Sequence, residues 1–535
     1  MPNLEQLTFL LLLANSQQTD RPNLNHWSRT DVSSRIKAQQ RAMPGDLKTT
    51  VPSEGMPWPK PQKMILNQHE TLILTKSNFD FSTVYECDIV EKALIRYKEL
   101  LFRGVVEQDS ASNDKNQIFF ARLFVHVKEP CEKYPHENMD ESYKLSVFKN
   151  GTGFLEARSV WGALRGLETF SQLTFSPDSK RTMIKTVEIE DFPRFAHRGI
   201  LIDTARHYVK MPILLENLDI MSQNKMNVFH WHIVDDQSFP YESKVFPLLS
   251  RRGEIFECPR NDLCLLDYYI YMLNDYPVII SAYNGPDGTF GPMDPTKNET
   301  YDFLAALIAE VSQLFPDKYI HLGGDEVPFE CWASNPKIRR FMREMKFEQN
   351  FVHLEQYFVQ KLMTSIRQVR GEVRHIFWQE VFDNGVGLSL DTVIHVWKGL
   401  GKPHEYENEL HRVTSNKLKA ILSSCWYLNY VSYGMDWPKY YSCDPHSFHG
   451  TLEQKALVLG GEACMWGEFV DSANVIQTLW PRASSVSERL WSDASVTDVD
   501  QATPRLEGHR CLLKRRGHQV GPISGPSFCS SDFVR

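Results

Sequence analysis

Tyr319-Ile320-His321-Leu322-Gly323-Gly324-Asp325-Glu326 is the stretch on which the reading of this chain turns. A short apolar run passes through a glycine pair and emerges on two adjacent carboxylates. Such a run reads as a short buried strand, and the glycines let the backbone approach a ligand closely. Two carboxylates in one cavity cannot ionise independently, so one can stay protonated and serve as a general acid. Alone, an Asp-Glu turn is as readily a solvated loop. Its weight comes from what recurs on either side.

Short apolar runs alternate with amphipathic stretches around it. Strands are expected over residues 199–202, 228–233, 319–322, 375–378, 393–396, 419–422 and 458–460, with helices such as 212–223, 301–314 and 352–367 between them. Repeated βα units over roughly 250 residues point to a (β/α)8 barrel. A doubly wound sheet alternates in the same way, but it would carry a Gly-rich phosphate loop after an early strand, and none is present. Upstream, the alternating run 121–127 and the helical runs 84–102 and 159–170 describe a small α/β domain, expected to hold an antiparallel sheet. Asp191-Phe192-Pro193-Arg194-Phe195 marks the boundary. The expected division is a signal peptide over 1–16, a flexible leader or pro-segment over 17–55, the α/β domain over 56–190, and the barrel with a C-terminal tail over 191–535.

With 535 residues the chain exceeds one compact core. A net charge of -8 provides no basic footprint, so nucleic acid is not an expected partner. Residues 7–14 form an apolar run too short to span a bilayer, followed by small residues, as in a signal peptide. No other stretch is long and apolar enough to span a membrane. Asn150-Gly151-Thr152 and Asn298-Glu299-Thr300 are glycosylation acceptor patterns. The ten cysteines lack the close pairing of a zinc site. Cys87 with Cys131, and Cys511 with Cys529, read as local disulfides of a secretory chain. The pairing of Cys258, Cys264, Cys331, Cys425, Cys443 and Cys464 is left open by the sequence.

A barrel carries its site at the C-terminal ends of its strands. Asp203, Arg206 and His207 follow the first strand, and Asp235 and Asp236 follow the second. Later strands deliver Asp325 and Glu326, Trp378 and Glu380, Trp397, Trp426 and Tyr427, then Glu462, Trp466 and Glu468. A lone Trp is more often core than pocket, but the repetition at one end is harder to explain by packing. An aromatic-walled pocket with an Arg and several acids suits a small neutral polyol. His230-Trp231-His232 places two imidazoles on one strand face. No further ligand follows at metal-binding spacing, so metal catalysis is not expected and no cofactor is implied.

These motifs resemble the family-20 β-N-acetylhexosaminidases, and within them the lysosomal subunits of animals. The matching stretches are 193–208, 229–236, 321–327, 378–382 and 460–468, within a likeness covering most of residues 56–530. The resemblance implies a retaining mechanism in which the substrate's own 2-acetamido oxygen attacks the anomeric carbon. It assigns Glu326 as general acid and base, Asp325 as orienter of the acetamido N–H, and Tyr427 as donor to the acetamido oxygen. Trp378, Trp397 and Trp466 would wall the pocket, Arg206 and Glu468 would hold hydroxyls, and Asp235 would support the acid. It further implies terminal β-linked GlcNAc or GalNAc on glycolipids, glycoproteins and oligosaccharides as substrate. A homo- or heterodimer with a related subunit, a lipid-presenting activator, and a lysosomal or secreted location also follow from it. Asn429 is α-type, whereas Tyr430 stands where that type carries an Arg, which puts anionic substrates in doubt.

One segment departs from the family. Between Gly253 and Gly288 the family has a full βα unit and an active-site His, and residues 254–287 here match neither. That would leave Cys331 without its family partner unless Cys258 or Cys264 substitutes. Either residues 276–281 act as a substitute third strand, or the segment comes from a splice form or faulty gene model. Three functions are therefore carried: the exo-acting hexosaminidase, a catalytically silent glycan-binding or partner subunit, and a hydrolase using two enzyme carboxylates directly.

Overall fold

The computed structural model describes residues 52–105, 117–176, 181–235, 238–251, 292–315, 317–399, 402–432, 434–525 and 527–529. The expected signal peptide, nearly all of the leader, Asp236, Cys258, Cys264 and residues 254–287 lie outside them.

The first sheet has six strands: β1 (Lys63–Leu74), β2 (Asp80–Ser82), β3 (Arg122–Val127), β4 (Tyr143–Val147), β5 (Thr152–Ala157) and β6 (Thr182–Asp191), in the order β1-β6-β4-β5-β3-β2. It is mixed rather than wholly antiparallel. The β1–β6, β6–β4 and β4–β5 pairs are antiparallel, while β3 runs parallel to both β5 and β2. The physical reason lies in the connections. A tight turn joins β4 to β5, whereas the helix Asp88–Phe102 separates β2 from β3, and a helical crossover returns the chain in the same direction. Alternation along β4, buried at Tyr143, Leu145 and Val147, sets one face against the helices Asp88–Phe102 and Val160–Leu173. Ser159 caps the second helix by accepting from the backbone N–H groups of Trp161 and Gly162.

The second sheet is wholly parallel. Its described strands are β7 (His197–Asp203), β8 (Val228–His232), β9 (Tyr319–His321), β10 (Arg374–Trp378), β11 (Val393–Val396), β12 (Lys419–Leu422) and β13 (Val458–Met465). They run in the order β8-β7-β13-β12-β11-β10-β9, so β7 and β13, first and last in the chain, are neighbours. That adjacency is the signature of a sheet curling into a barrel. The third-strand position would fall between β8 and β9, within the residues not described. β11 is buried throughout and β13 nearly so, as expected of strands covered outside by helices and packed inside against one another.

The two sheets share buried polar contacts. Arg198 on β7 donates to both oxygens of Glu141, at 2.7 and 2.6 Å, and Lys225 Nζ lies 2.8 Å from Asp191. Buried charges need such partners, because an isolated one costs several kcal/mol. Trp58 is fully buried, its backbone N–H reaching Gln172 and its indole N–H reaching the Ser484 carbonyl. Disulfides join Cys87 to Cys131 and Cys511 to Cys529, as the sequence leads one to expect, and a third joins Cys425 to Cys443. Among the described residues no helix is long and apolar enough to cross a membrane.

Candidate active site

The C-terminal ends of β7, β8 and β13 are tied together by one arginine. Arg206 donates to Asp203 at 2.8 Å, pairs with Asp235 at 2.8 Å, and lies 3.8 Å from Glu468. Its guanidinium also sits 5.4 Å from the centroid of the Trp466 ring. Burial alone would lower its pKa, but Asp203, Asp235 and Glu468 raise it, so it stays charged. Asp203 is itself fixed by the N–H groups of Ala205, Arg206 and Gly467. Asp235 also contacts His232 Nε2, at 2.6 Å.

The aromatic residues form one wall. Trp378, Trp397, Tyr427 and Trp466 belong to a single cluster with Leu201 and Cys464. Trp378 and Trp466 lie 5.9 Å apart, and Tyr427 and Trp466 6.2 Å apart, centroid to centroid. Tyr427 bridges to Cys464 on β13 through the backbone, which fixes its position. Burial raises its phenol pKa, with the charges of Cys464 and Asp325 adding to the effect, so it remains a hydrogen-bond donor. Trp397 donates its indole N–H to Glu380 at 2.9 Å, and Lys398 lies 3.5 Å from that carboxylate. Asn429 has its Oδ1 buried with no hydrogen-bond partner. Tyr430 is exposed and stacks on Tyr427 at 6.2 Å. Trp426, by contrast, is fully buried in the barrel core and donates to the Tyr440 carbonyl.

Asp325 and Glu326 follow β9 on a turn that the glycines permit. Gly323 and Gly324 have φ of 69° and 98°, and a Cβ on Gly324 would collide with Val381. Glu326 also has a positive φ, 48°, uncommon for a residue with a side chain and frequent at functional turns. Both carboxylates have exposed surface, yet protein surrounds Asp325 closely enough to raise its pKa to about 6. Burial is the main cause, followed by the negative charges of Glu380, Asp235 and Glu326. Asp325 is thus electrostatically coupled to Tyr427, Asp235 and Glu380 at once. Glu326 remains open at the mouth.

Glu462 stands apart from this group. It follows the last strand's apolar run in sequence, but its side chain lies inside the barrel. His197 Nε2 and His230 Nδ1 contact its two oxygens at 2.8 and 2.9 Å. Burial would raise its pKa, yet the adjoining His230 and His395 hold it well below the ordinary carboxylate range. Near it Trp378 stacks on His395, with centroids 4.3 Å apart, and lies 4.6 Å from the tilted ring of His321. Burial and the neighbouring His230 and His395 keep the His321 pKa well below normal. Sequence reading also passed over Glu310. Its carboxylate accepts from the Ser243 hydroxyl and the Lys244 and Val245 N–H groups, holding the loop after β8. A helical acid carries no sequence signal for such a contact.

A parallel barrel-type sheet whose strand ends gather carboxylates beside an aromatic wall is the architecture of a glycoside hydrolase. The chain belongs to glycosyl hydrolase family 20. The profile of the family's catalytic domain matches residues 195–281 and 281–494, and that of a "beta-acetyl hexosaminidase like" domain matches residues 57–173. The chain is 43% identical over 509 residues to beta-hexosaminidase subunit alpha of Mus musculus, covering 89% of this chain and 95% of that protein. It is 43% identical over 474 residues to beta-hexosaminidase subunit beta of Homo sapiens, covering 83% and 84%. Among solved structures it resembles the Flavobacterium johnsoniae chitobiase with a TM-score of 0.72 at 30% identity, covering 86% of this chain and 73% of that one.

Proposed function

We propose that this chain is an exo-β-N-acetylhexosaminidase that releases terminal β-linked GlcNAc or GalNAc by substrate-assisted, retaining hydrolysis. The observation that carries this reading is the gathering of Tyr427 with Trp378, Trp397 and Trp466 in one aromatic wall at the strand ends that bear Asp325 and Glu326. In this mechanism no enzyme carboxylate attacks the sugar. The acetamido oxygen does, so the amide must be gripped at both ends. Asp325 accepts the amide N–H and stabilises the positive charge that develops, Tyr427 donates to the amide oxygen, and Trp378, Trp397 and Trp466 enclose the group. Positioning of this kind supplies much of the rate. Glu326, at the mouth, protonates the leaving oxygen and then activates water. Arg206, Glu468 and Asn429 hold sugar hydroxyls, and Asp235 supports the acid.

The neutral Tyr430 beside Tyr427 favours neutral sugars over sulfated or sialylated ones. The likeness to hexosaminidase subunits supports assembly with a related subunit and a lysosomal site of action on glycolipids and glycoproteins. Asn150 and Asn298 are both exposed, which suits glycosylation.

The test uses a chromogenic GlcNAc glycoside and a thiazoline mimic of the cyclised intermediate. Turnover that Glu326→Gln abolishes, with the mimic binding tightly, is the expected result. Binding of the mimic by folded wild-type protein without turnover would support the glycan-binding subunit instead. Equal turnover of a substrate lacking the acetamido group would point to two enzyme carboxylates.

A further inference from the structure

Five side chains from five strands meet beneath Trp378: His197 (β7), His230 (β8), His321 (β9), His395 (β11) and Glu462 (β13). Among them the nearest donor atoms of His230, His395 and Glu462 lie within 4.8 Å of one another. His230 Nδ1 is 2.9 Å from Glu462 Oε2, and His395 Nε2 is 4.0 Å from the same oxygen. The second distance is too long for a hydrogen bond. His395 Nε2, on a fully buried ring, has no hydrogen-bond partner. An unmatched buried polar atom costs about 1–3 kcal/mol, so a cluster that leaves one aimed at a carboxylate has room for a further bonding partner.

We infer that His230, His395 and Glu462 form a binding site for one divalent cation of the Zn2+ type, beneath the sugar pocket and distinct from it. Two imidazole nitrogens and one carboxylate oxygen are the donor set of an open zinc site. Bonds of about 2.0–2.1 Å at tetrahedral angles place ligand atoms roughly 3.3 Å apart. The 4.0 Å contact needs to close, and the 2.9 Å contact to open, by less than an ångström each, while the two imidazole nitrogens, within 4.8 Å of each other, need to close by up to about 1.5 Å. Hard cations demand six or more oxygens, which this set does not offer. His197, 2.8 Å from Glu462 Oε1, orients the carboxylate from its far side as an outer partner does in metal sites.

The site is linked to the Asp325–Glu326 turn through protons. Gly323 N–H donates to His321 Nδ1 at 3.1 Å, so neutral His321 carries its proton on Nε2 and faces His395 Nδ1 at 3.4 Å. His395 then bears its own proton on Nε2, toward Glu462. A cation must displace that proton to solvent. His395 takes one at Nδ1 from His321 Nε2, and His321 takes one from solvent at Nδ1, directly against Gly323 N–H. His230 likewise moves its proton from Nδ1 to Nε2. No ring gains or loses charge, but the Gly323 hydrogen bond is lost, two residues before Asp325.

The test is made on the full chain, freed of metal by a chelator. Zinc chloride is titrated calorimetrically, and crystals soaked in zinc are examined by anomalous diffraction. The expected result is one equivalent bound per chain, with an anomalous peak between His230 Nδ1, His395 Nε2 and Glu462 Oε2. His395→Gln should weaken binding about tenfold or more. His69→Ala, at an exposed histidine, should not. Zinc should raise the Tm of the wild type but not that of His395→Gln. No peak at the cluster, or unchanged binding by His395→Gln, overturns the inference. If that variant does not fold, the wild-type anomalous map decides alone.

Discussion

Gly199 on β7 and Glu462 on β13 face each other in register, and the side chain of the second fills the space that the first leaves open. A Cβ at Gly199 would overlap the Glu462 side chain. Gly199→Ala should therefore destabilise the protein by about 1–3 kcal/mol, the usual cost of overpacking. Urea unfolding followed by tryptophan fluorescence measures it. A loss under 0.5 kcal/mol would mean that Glu462 has another place to go.

Asp325 leads to a pH prediction. Its pKa of about 6, raised by burial and then by Glu380, Asp235 and Glu326, lies above the ordinary 3.8. The carboxylate is the form that accepts the amide N–H. The kcat/KM profile, which reports the free enzyme, should therefore fall below about pH 6, while kcat should fall at lower pH because bound substrate favours the anion. Asp325→Asn should lose about 10²–10³ in kcat and the acid limb with it. An acid limb that survives in the Asn variant would assign it to another group.

Glu380 accepts the Trp397 indole N–H and stands beside Lys398. Glu380→Gln replaces a charge-assisted hydrogen bond by a neutral one. A loss of about 1–1.5 kcal/mol in substrate binding is expected, roughly 5–10-fold in KM. Titration with the thiazoline mimic should show a parallel loss. Unaltered KM and mimic affinity would show that packing alone holds Trp397.

Glu355 is buried, with Oε1 unpartnered and Oε2 accepting from Asn384. Burial, with a contribution from Glu380, lifts its pKa from 4.5 to about 7. The folded state then binds more protons than the unfolded state between those values, so this group costs stability as pH rises through the window. Glu355→Gln should stabilise the protein by about 1–3 kcal/mol above pH 7 and bring no gain below about pH 4.5. Thermal melts at the two pH values compare them, and an equal shift at both would rule out titration as the cause.

The barrel strands were legible because strands buried on both faces read as continuous apolar runs. The expected run 393–396 is β11, and 419–422 is β12, without adjustment. The run 458–460 continues to Met465, since Gly461 and Glu462 interrupt the apolar pattern while the backbone stays extended. The first sheet was less legible. The pairing of β1 with β6 joins segments more than a hundred residues apart, which no local pattern specifies. The strand-end rule pointed to Arg206, Asp235, Trp378, Trp397 and Trp466, which lie at that end, and also to Trp426, which is core. It could not find the His230–His395–Glu462 cluster, because those residues come from three distant strands and share no spacing.

Trp58 sets a limit on processing. Its backbone N–H is held by Gln172, on a helix of the first sheet, and its indole N–H by Ser484, on a helix of the barrel, with the Tyr441 and His509 rings within 6.5 Å. A protease that trims the expected leader must cut upstream of that residue. A cut immediately downstream would release Trp58 and leave the Gln172 and Ser484 acceptors without their donors.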